Sequence, residues 1–320
     1  MDQVQTQNKI VKIHNFNLNI FRQLLKETLM VNNQIMIEFG GEFIRSCALS
    51  PQKVFMKVWT IPTKSFIGSK DEVDENGVID LDKETPQTDL STLPIFNFYV
   101  LKGDLFRNYL SVHSTDLVDL EFTLEEGTDK RFQATTITIT GKSENNNALV
   151  TKFTLTTEDL ITSRVEDYGN LIRECTPSDD MYDIIIDNVQ MQEIKRLIKN
   201  LHKSSIDNSS YLTFTIKDNK VQINDKVFNV NFPLKSSDVS KIESDGYTFN
   251  ILKSDFIMAG EHTFNVYTNN DAQKVTFGTK FAGALIWCIS TKITEGSALD
   301  NDADFGDIID LDDIGNDYGL

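Results

Sequence analysis

Apolar and polar residues along the 320-residue chain alternate mostly with the two-residue period of half-buried strands. Strands are expected over 34–39, 42–48 and 53–61, and then over 95–101, 117–124, 131–140 and 149–156. A second series follows at 182–187, 211–216, 220–224, 227–232, 247–252, 263–267, 274–277 and 283–291. Helical spacing interrupts them. Ile20, Phe21, Leu24, Leu25 and Leu29 place a helix over 17–31, with Asn17 or Asn19 able to cap it. Ile194, Leu197, Ile198 and Leu201 form one apolar stripe on a helix over 189–203. Shorter helical segments are expected at 103–113 and 254–259. Gly40-Gly41, between two strand patterns, predicts a two-residue hairpin turn whose residues take positive φ.

The pattern repeats. Val100-Leu101-Lys102-Gly103-Asp104-Leu105-Phe106 is echoed by Ile251-Leu252-Lys253-Ser254-Asp255-Phe256-Ile257. Each copy is a strand end running into a helix start, where Asp complements the helix dipole. The order of flanking elements repeats too, which divides the chain into similar halves. The reading is an α+β chain with antiparallel sheets and two domains, 1–157 and 182–293. A linker spans 158–181, and 294–320 is a tail.

Charge refines this picture. The net charge is −17, but residues 295–320 hold nine acids and no Lys or Arg. Residues 68–93 hold eight acids and two lysines, so the rest of the chain carries only −2. The first segment reads as a long acidic insertion and the second as a solvated tail, mobile and dispensable for folding. Positive charge gathers on the helices: Arg22 and Lys26; Lys102 and Arg107; Lys195, Arg196, Lys199 and Lys203; Lys253. Those residues are candidates to face a polyanion.

Signatures of catalysis are missing. No GxxxxGK[ST] or GxSxG occurs, and the four His show no metal-ligand spacing. Residues 72–83 have part of a calcium-loop pattern, but Lys83 stands where a bidentate carboxylate is needed. Asp179-Asp180 has no neighbouring nucleophile pattern that would support a hydrolase. Three Cys without a CxxC favour a reducing compartment, and buried packing is expected for Cys47 and Cys288. The N-terminal MDQVQTQNKI has no apolar core of a leader. The longest apolar run, Ala284 to Ile289, is too short to span a membrane.

Over about 9–293 the arrangement resembles a DNA sliding clamp, closest to the T-even bacteriophage type. The resemblance is carried by YTFNILKSDFIMAGEHTFNVYTNNDAQKVTFGTKFAGALIWCISTKI (247–293), EFIRSCALSPQKVFMKV and NFYVLKGDLFRNYLSV. It implies a DNA-clamp fold in which strand–helix–strands repeats close into a homotrimeric ring, sheets outside and helices lining the hole. It implies no enzymatic activity and no cofactor. The implied partners are double-stranded DNA, held without sequence preference, a DNA polymerase, an ATP-driven clamp loader and, further, transcription factors. The setting would be cytoplasmic, in the host cell if the chain is viral. An apolar pocket for partner peptides is implied at Leu49, Leu160, Ile161, Cys288 and Ser290. The competing reading is a single-stranded DNA-binding replication protein whose acidic tail recruits partners. That protein would need exposed aromatics along a basic groove, whereas the Phe residues here alternate within strands as core residues do.

Overall fold

A computed structural model describes residues 9–67, 89–126, 131–161, 181–202, 211–225, 228–234, 246–269 and 272–293. Lys203, Asp179-Asp180, the calcium-like segment, most of the linker and the tail lie outside these residues.

The chain is built from one unit used four times: a strand, a helix, then three strands. The first is β1 (Lys9–Asn17), α1 (Leu18–Leu29), β2 (Ile35–Phe39), β3 (Phe43–Leu49) and β4 (Phe55–Pro62). The second is β5 (Phe96–Val100), α2 (Gly103–Ser111), β6 (Leu117–Glu126), β7 (Phe132–Lys142) and β8 (Ala148–Thr154). The third is β9 (Tyr182–Ile186), α3 (Asn188–His202), β10 (Tyr211–Lys217), β11 (Lys220–Asn224) and β12 (Asn229–Pro233). The fourth is β13 (Tyr247–Leu252), α4 (Lys253–Ala259), β14 (Phe264–Thr268), β15 (Lys274–Phe281) and β16 (Ala284–Thr291). Strand β1 went unread in the sequence because Lys12, His14 and Asn15 break its apolar run. A bulge between Ile13 and Phe16, with Asn15 at φ 54°, interrupts its alternation.

Local chemistry explains the helix starts. Asn17 Oδ1 accepts the Ile20 backbone N–H at 3.0 Å, capping α1 as expected. Before α3, Asp187 and Gln190 exchange side-chain-to-backbone bonds at 2.9 and 3.0 Å, a capping box. Helix α4 stops where Gly260 takes φ 106°, a left-handed value that only glycine adopts without strain.

Twelve strands form one large sheet in the order β1-β6-β7-β5-β2-β3-β4-β16-β15-β14-β9, with β8 added on β7; β12-β11-β10-β13 form a second sheet. Among the described strands, only β4 and β16 pair across the two halves, antiparallel from Leu285↔Thr60 to Ser290↔Phe55. The four described helices bury their apolar stripes, including Phe21, Leu25, Phe106, Ile194 and Phe256, in one continuous core on one side of the sheets. Fully burying each such side chain stabilises the fold by roughly 1.5–3 kcal/mol. A smaller cluster occupies the opposite face of the large sheet: Met36, Cys47, Val58, Tyr99, Ile289 and Ile161.

The turn at Gly40-Gly41 differs from expectation. The link between β2 and β3 spans three residues, and neither glycine has positive φ. Gly41 is needed for space instead, since a Cβ there would lie 2.3 Å from the Leu90 carbonyl oxygen.

Candidate nucleic-acid interface and partner surface

The helix cations divide by what surrounds them. Lys26, Lys102, Arg196 and Lys199 are exposed, and Arg107 is half-buried. Arg196 and Lys199 share one face of α3 at i, i+3 spacing. They lie on the side of the molecule turned away from the sheets, where the helices meet solvent.

Three expected members of this group have other tasks. The Arg22 guanidinium donates from Nη2 to the Leu110 carbonyl at 2.5 Å and to the His113 carbonyl, closing the C-terminal end of α2. A cation there complements the helix dipole and satisfies orphan carbonyls. Lys253 is also withdrawn, its ammonium 2.6 Å from Asp225 with only 13% of its side chain exposed. Lys195 turns inward. Burial lowers its ammonium to about 8, against the opposing pull of Glu261. Periodicity put Arg22 and Lys195 away from an apolar stripe and Lys253 at a helix start, but a long flexible stem can swing its charge to a partner on another element.

The outer face of the large sheet holds the other candidate surface. One rung crosses five strands: Tyr99–Met36, Met36–Cys47, Cys47–Val58 and Val58–Trp287 are register partners. The next rung runs Leu49–Met56–Ile289. Ile161, arriving after β8 through a short turn at Glu158–Leu160, packs on this floor and is 4% exposed. Leu160 beside it is 52% exposed. Leu49, Leu160 and Ile161 therefore sit at or beside one apolar surface.

Cys288 and Ser290 do not. They point to the helix side, where the Cys288 thiol faces the Ala259 carbonyl and Ser290 Oγ donates to Asp255 Oδ2 at 2.6 Å. Burial pushes the Cys288 thiol up to about 12. Their neighbours Trp287 and Ile289 hold the outer-face positions, because adjacent strand residues face opposite ways. Gly278, the Trp287 register partner, makes room for the indole: a Cβ there would lie 2.4 Å from Cζ3.

No family model and no curated protein matches the chain. Solved structures do. Proliferating cellular nuclear antigen (PCNA) of Entamoeba histolytica superposes with a TM-score of 0.58 at 8% identity, covering 91% of this chain and all of that one. The PCNA2–PCNA3 complex of Sulfolobus tokodaii gives 0.52 at 12%, covering 89% and 99%. The A. fulgidus PCNA bound to the C-terminal region of FEN-1 gives 0.51 at 16%, covering 89% and 98%.

The chain has the PCNA-type clamp fold. The α+β reading, the repeated strand–helix–strands unit and the sheet-and-helix layering all agree with it. Among the described residues, no cluster of three or more His, Cys, Asp or Glu could hold a metal, and no helix is long and apolar enough to cross a membrane.

Two features of this clamp fold escaped the sequence reading. One is a buried ionic cluster around Lys57. Its signal was a Lys in register with Phe55, Trp59 and Ile61 on the buried face of β4. The other is a pair of unprotected sheet edges. Among the described residues, strand β8 pairs only with β7, and β12 only with β11. Val150 is 63% exposed on the first, and Val230 and Phe232 are half-buried on the second.

Proposed function

We propose that the chain is a sliding clamp that assembles head-to-tail into a homotrimeric ring around double-stranded DNA and tethers a DNA polymerase. The observation carrying this reading is that, among the described residues, each half keeps an edge strand with one side unpaired, β8 and β12, whereas β13 at the other end of the second sheet is covered where the Ile293 N–H donates to the Asn250 carbonyl at 3.0 Å. Edge strands normally carry bulges or charges that block pairing. β1 has a bulge and two lysines, and β9 has Asp183. β8 has a single Lys and β12 no charge. An edge in one half that pairs with a different edge in the next copy makes a heterologous contact, which generates a ring when the rotation between copies closes and an open filament when it does not.

In that ring the helices line the hole, and Lys26, Lys102, Arg107, Arg196 and Lys199 meet phosphates. Lys203, which follows α3 in the sequence and lies outside the described residues, belongs to the same proposal. Such contacts are weak and blind to sequence, which suits a protein held by topology. The acidic residues of 68–93 and 295–320 carry a charge that repels DNA. Leu49, Leu160, Ile161, Trp287 and Ile289 form the surface for partner peptides. The A. fulgidus complex with the FEN-1 C-terminal region supports a clamp surface of this kind. An ATP-driven loader, transcription factors and a cytoplasmic setting belong to the same proposal. So does the T-even phage variety of clamp, which rests on 247–293. The single-stranded DNA reading is disfavoured by side-chain placement: Phe43 is the one aromatic among the large exposed hydrophobics of the described residues.

The test is mass and topology together. Light scattering should give three times the 36.3 kDa chain mass. Loaded protein should stay on circular duplex and fall off when the circle is cut. A monomer, or equal retention on both DNAs, refutes the reading.

A further inference from the structure

The inward face of β4 reads Phe55, Lys57, Trp59, Ile61, so a cation stands in an apolar row. The Lys57 side chain is completely buried. Its ammonium donates to Glu27 Oε2 at 2.5 Å and to the Met258 carbonyl at 3.1 Å. The other Glu27 oxygen lies 2.9 Å from His262 Nε2. Burial acts to raise the Glu27 carboxyl, but Lys57 and the His262 contact outweigh it and hold the group at about 2.

The topology of this chain matters more than its charge. Glu27 and Lys57 come from α1 and β4 in the first half, while Met258 and His262 come from α4 and the turn after it in the second. Gly260, at φ 106°, folds that turn back so that His262 reaches Glu27. The His262 ring rests on Phe281 of β15 with centroids 4.4 Å apart, which fixes its direction. Cys288, the register partner of Lys57, belongs to β16. Lys195 and Glu261 are the other ionisable groups in the neighbourhood.

We propose that Glu27, Lys57 and His262 form an interdomain latch that sets the angle between the two halves and keeps β4 and β16 paired. The latch rests on the fold alone and stands whether or not the chain forms a ring. The β4–β16 ladder fixes register along the strands, but the apolar packing beside it is non-directional and does not by itself fix the angle between the halves. Hydrogen bonds from a buried ammonium to a carboxylate and a carbonyl are directional, and breaking one partner leaves an uncompensated buried charge. The seam is therefore held in one arrangement, though an ion pair of this kind adds little net stability over an apolar pair.

Hydrogen exchange on the full-length protein tests the latch. The β4–β16 amides report the seam, and the β6–β7 amides, far from it, serve as the internal control. Glu27→Gln should speed exchange at β4–β16 about a hundredfold and leave β6–β7 unchanged. Trp59 and Trp287, the chain's two tryptophans, flank the pair, so their emission should shift with it. The double variant Glu27→Leu/Lys57→Met should regain the wild-type melting temperature and still exchange faster at β4–β16. Should Glu27→Gln fail to fold, His262→Gln at the half-exposed end should give about tenfold faster exchange confined to β4–β16. Faster exchange in both strand pairs alike, full seam protection in the double variant, or an unchanged seam in His262→Gln would each overturn the latch.

Discussion

Replacing Asp255 with Asn removes a charge from the core of the second half. The Asp255 side chain is fully buried at the start of α4. Burial raises its carboxyl from 3.8 to about 7, even though hydrogen bonds from Ser290 and Ser254 favour the ionised form. In the window between those values the folded chain holds a proton that the unfolded chain has released. Stability therefore falls as pH rises from about 4 to about 7 and is flat beyond, a loss on the order of 4 kcal/mol. An Asn amide imitates the protonated acid: its oxygen can accept from Ser290 Oγ, and its N–H₂ can donate to Ser254 Oγ. Asp255→Asn should gain about 2–4 kcal/mol at about pH 8, roughly 5–12 °C in melting temperature. Near pH 4 it should gain close to nothing. The assay is denaturation of both proteins side by side across this range at one protein concentration, because assembly also adds stability. Glu27 does not confound the window, since its contribution disappears only as pH falls from 4.5 towards about 2. A difference that ignores pH, or a less stable variant at about pH 8, would show that the carboxyl is not held uncharged by burial.

Four further outcomes follow from individual side chains. Arg22→Ala should cost about 1.5–3 kcal/mol in urea unfolding by exposing the end of α2, and leave duplex DNA retention by the folded protein intact. Lys195→Gln should stabilise the chain by about 1–3 kcal/mol at neutral pH. The unfolded chain keeps its Lys195 proton up to 10.5 while the folded chain gives it up near 8, so that advantage should close as pH climbs through this interval. Charge reversal at Arg196 and Lys199 should weaken retention on circular DNA, whereas Lys195→Gln should not. Gly278→Ala places a methyl group 2.4 Å from the Trp287 ring, and should cost about 1–3 kcal/mol by overpacking and shift the Trp287 emission.

Periodicity alone marked the described helices and every described strand but β1, because those elements' own residues show where their apolar positions fall. The echo of Leu101-Lys102-Gly103-Asp104 in Leu252-Lys253-Ser254-Asp255 revealed the internal repeat on the same basis. Yet even those twins diverge in the fold: Asp104 is exposed, while Asp255 is buried against Ser290. Partnership across the chain could not be read this way. Glu27 meets His262 across 235 residues, and β4 joins β16 across a similar distance. Spacing within β16 marked both of its faces as apolar, and only the pairing with β4 and the position of α4 put Trp287 and Ile289 outside and Cys288 and Ser290 within. The cations show the same division. Local sequence put Arg22 and Lys195 on the polar sides of their helices and Lys253 at a helix start. The Leu110 carbonyl, the seam around Glu261 and the Asp225 carboxylate then claimed them, since a buried or half-buried charge goes to whichever distant partner the fold brings within hydrogen-bond reach.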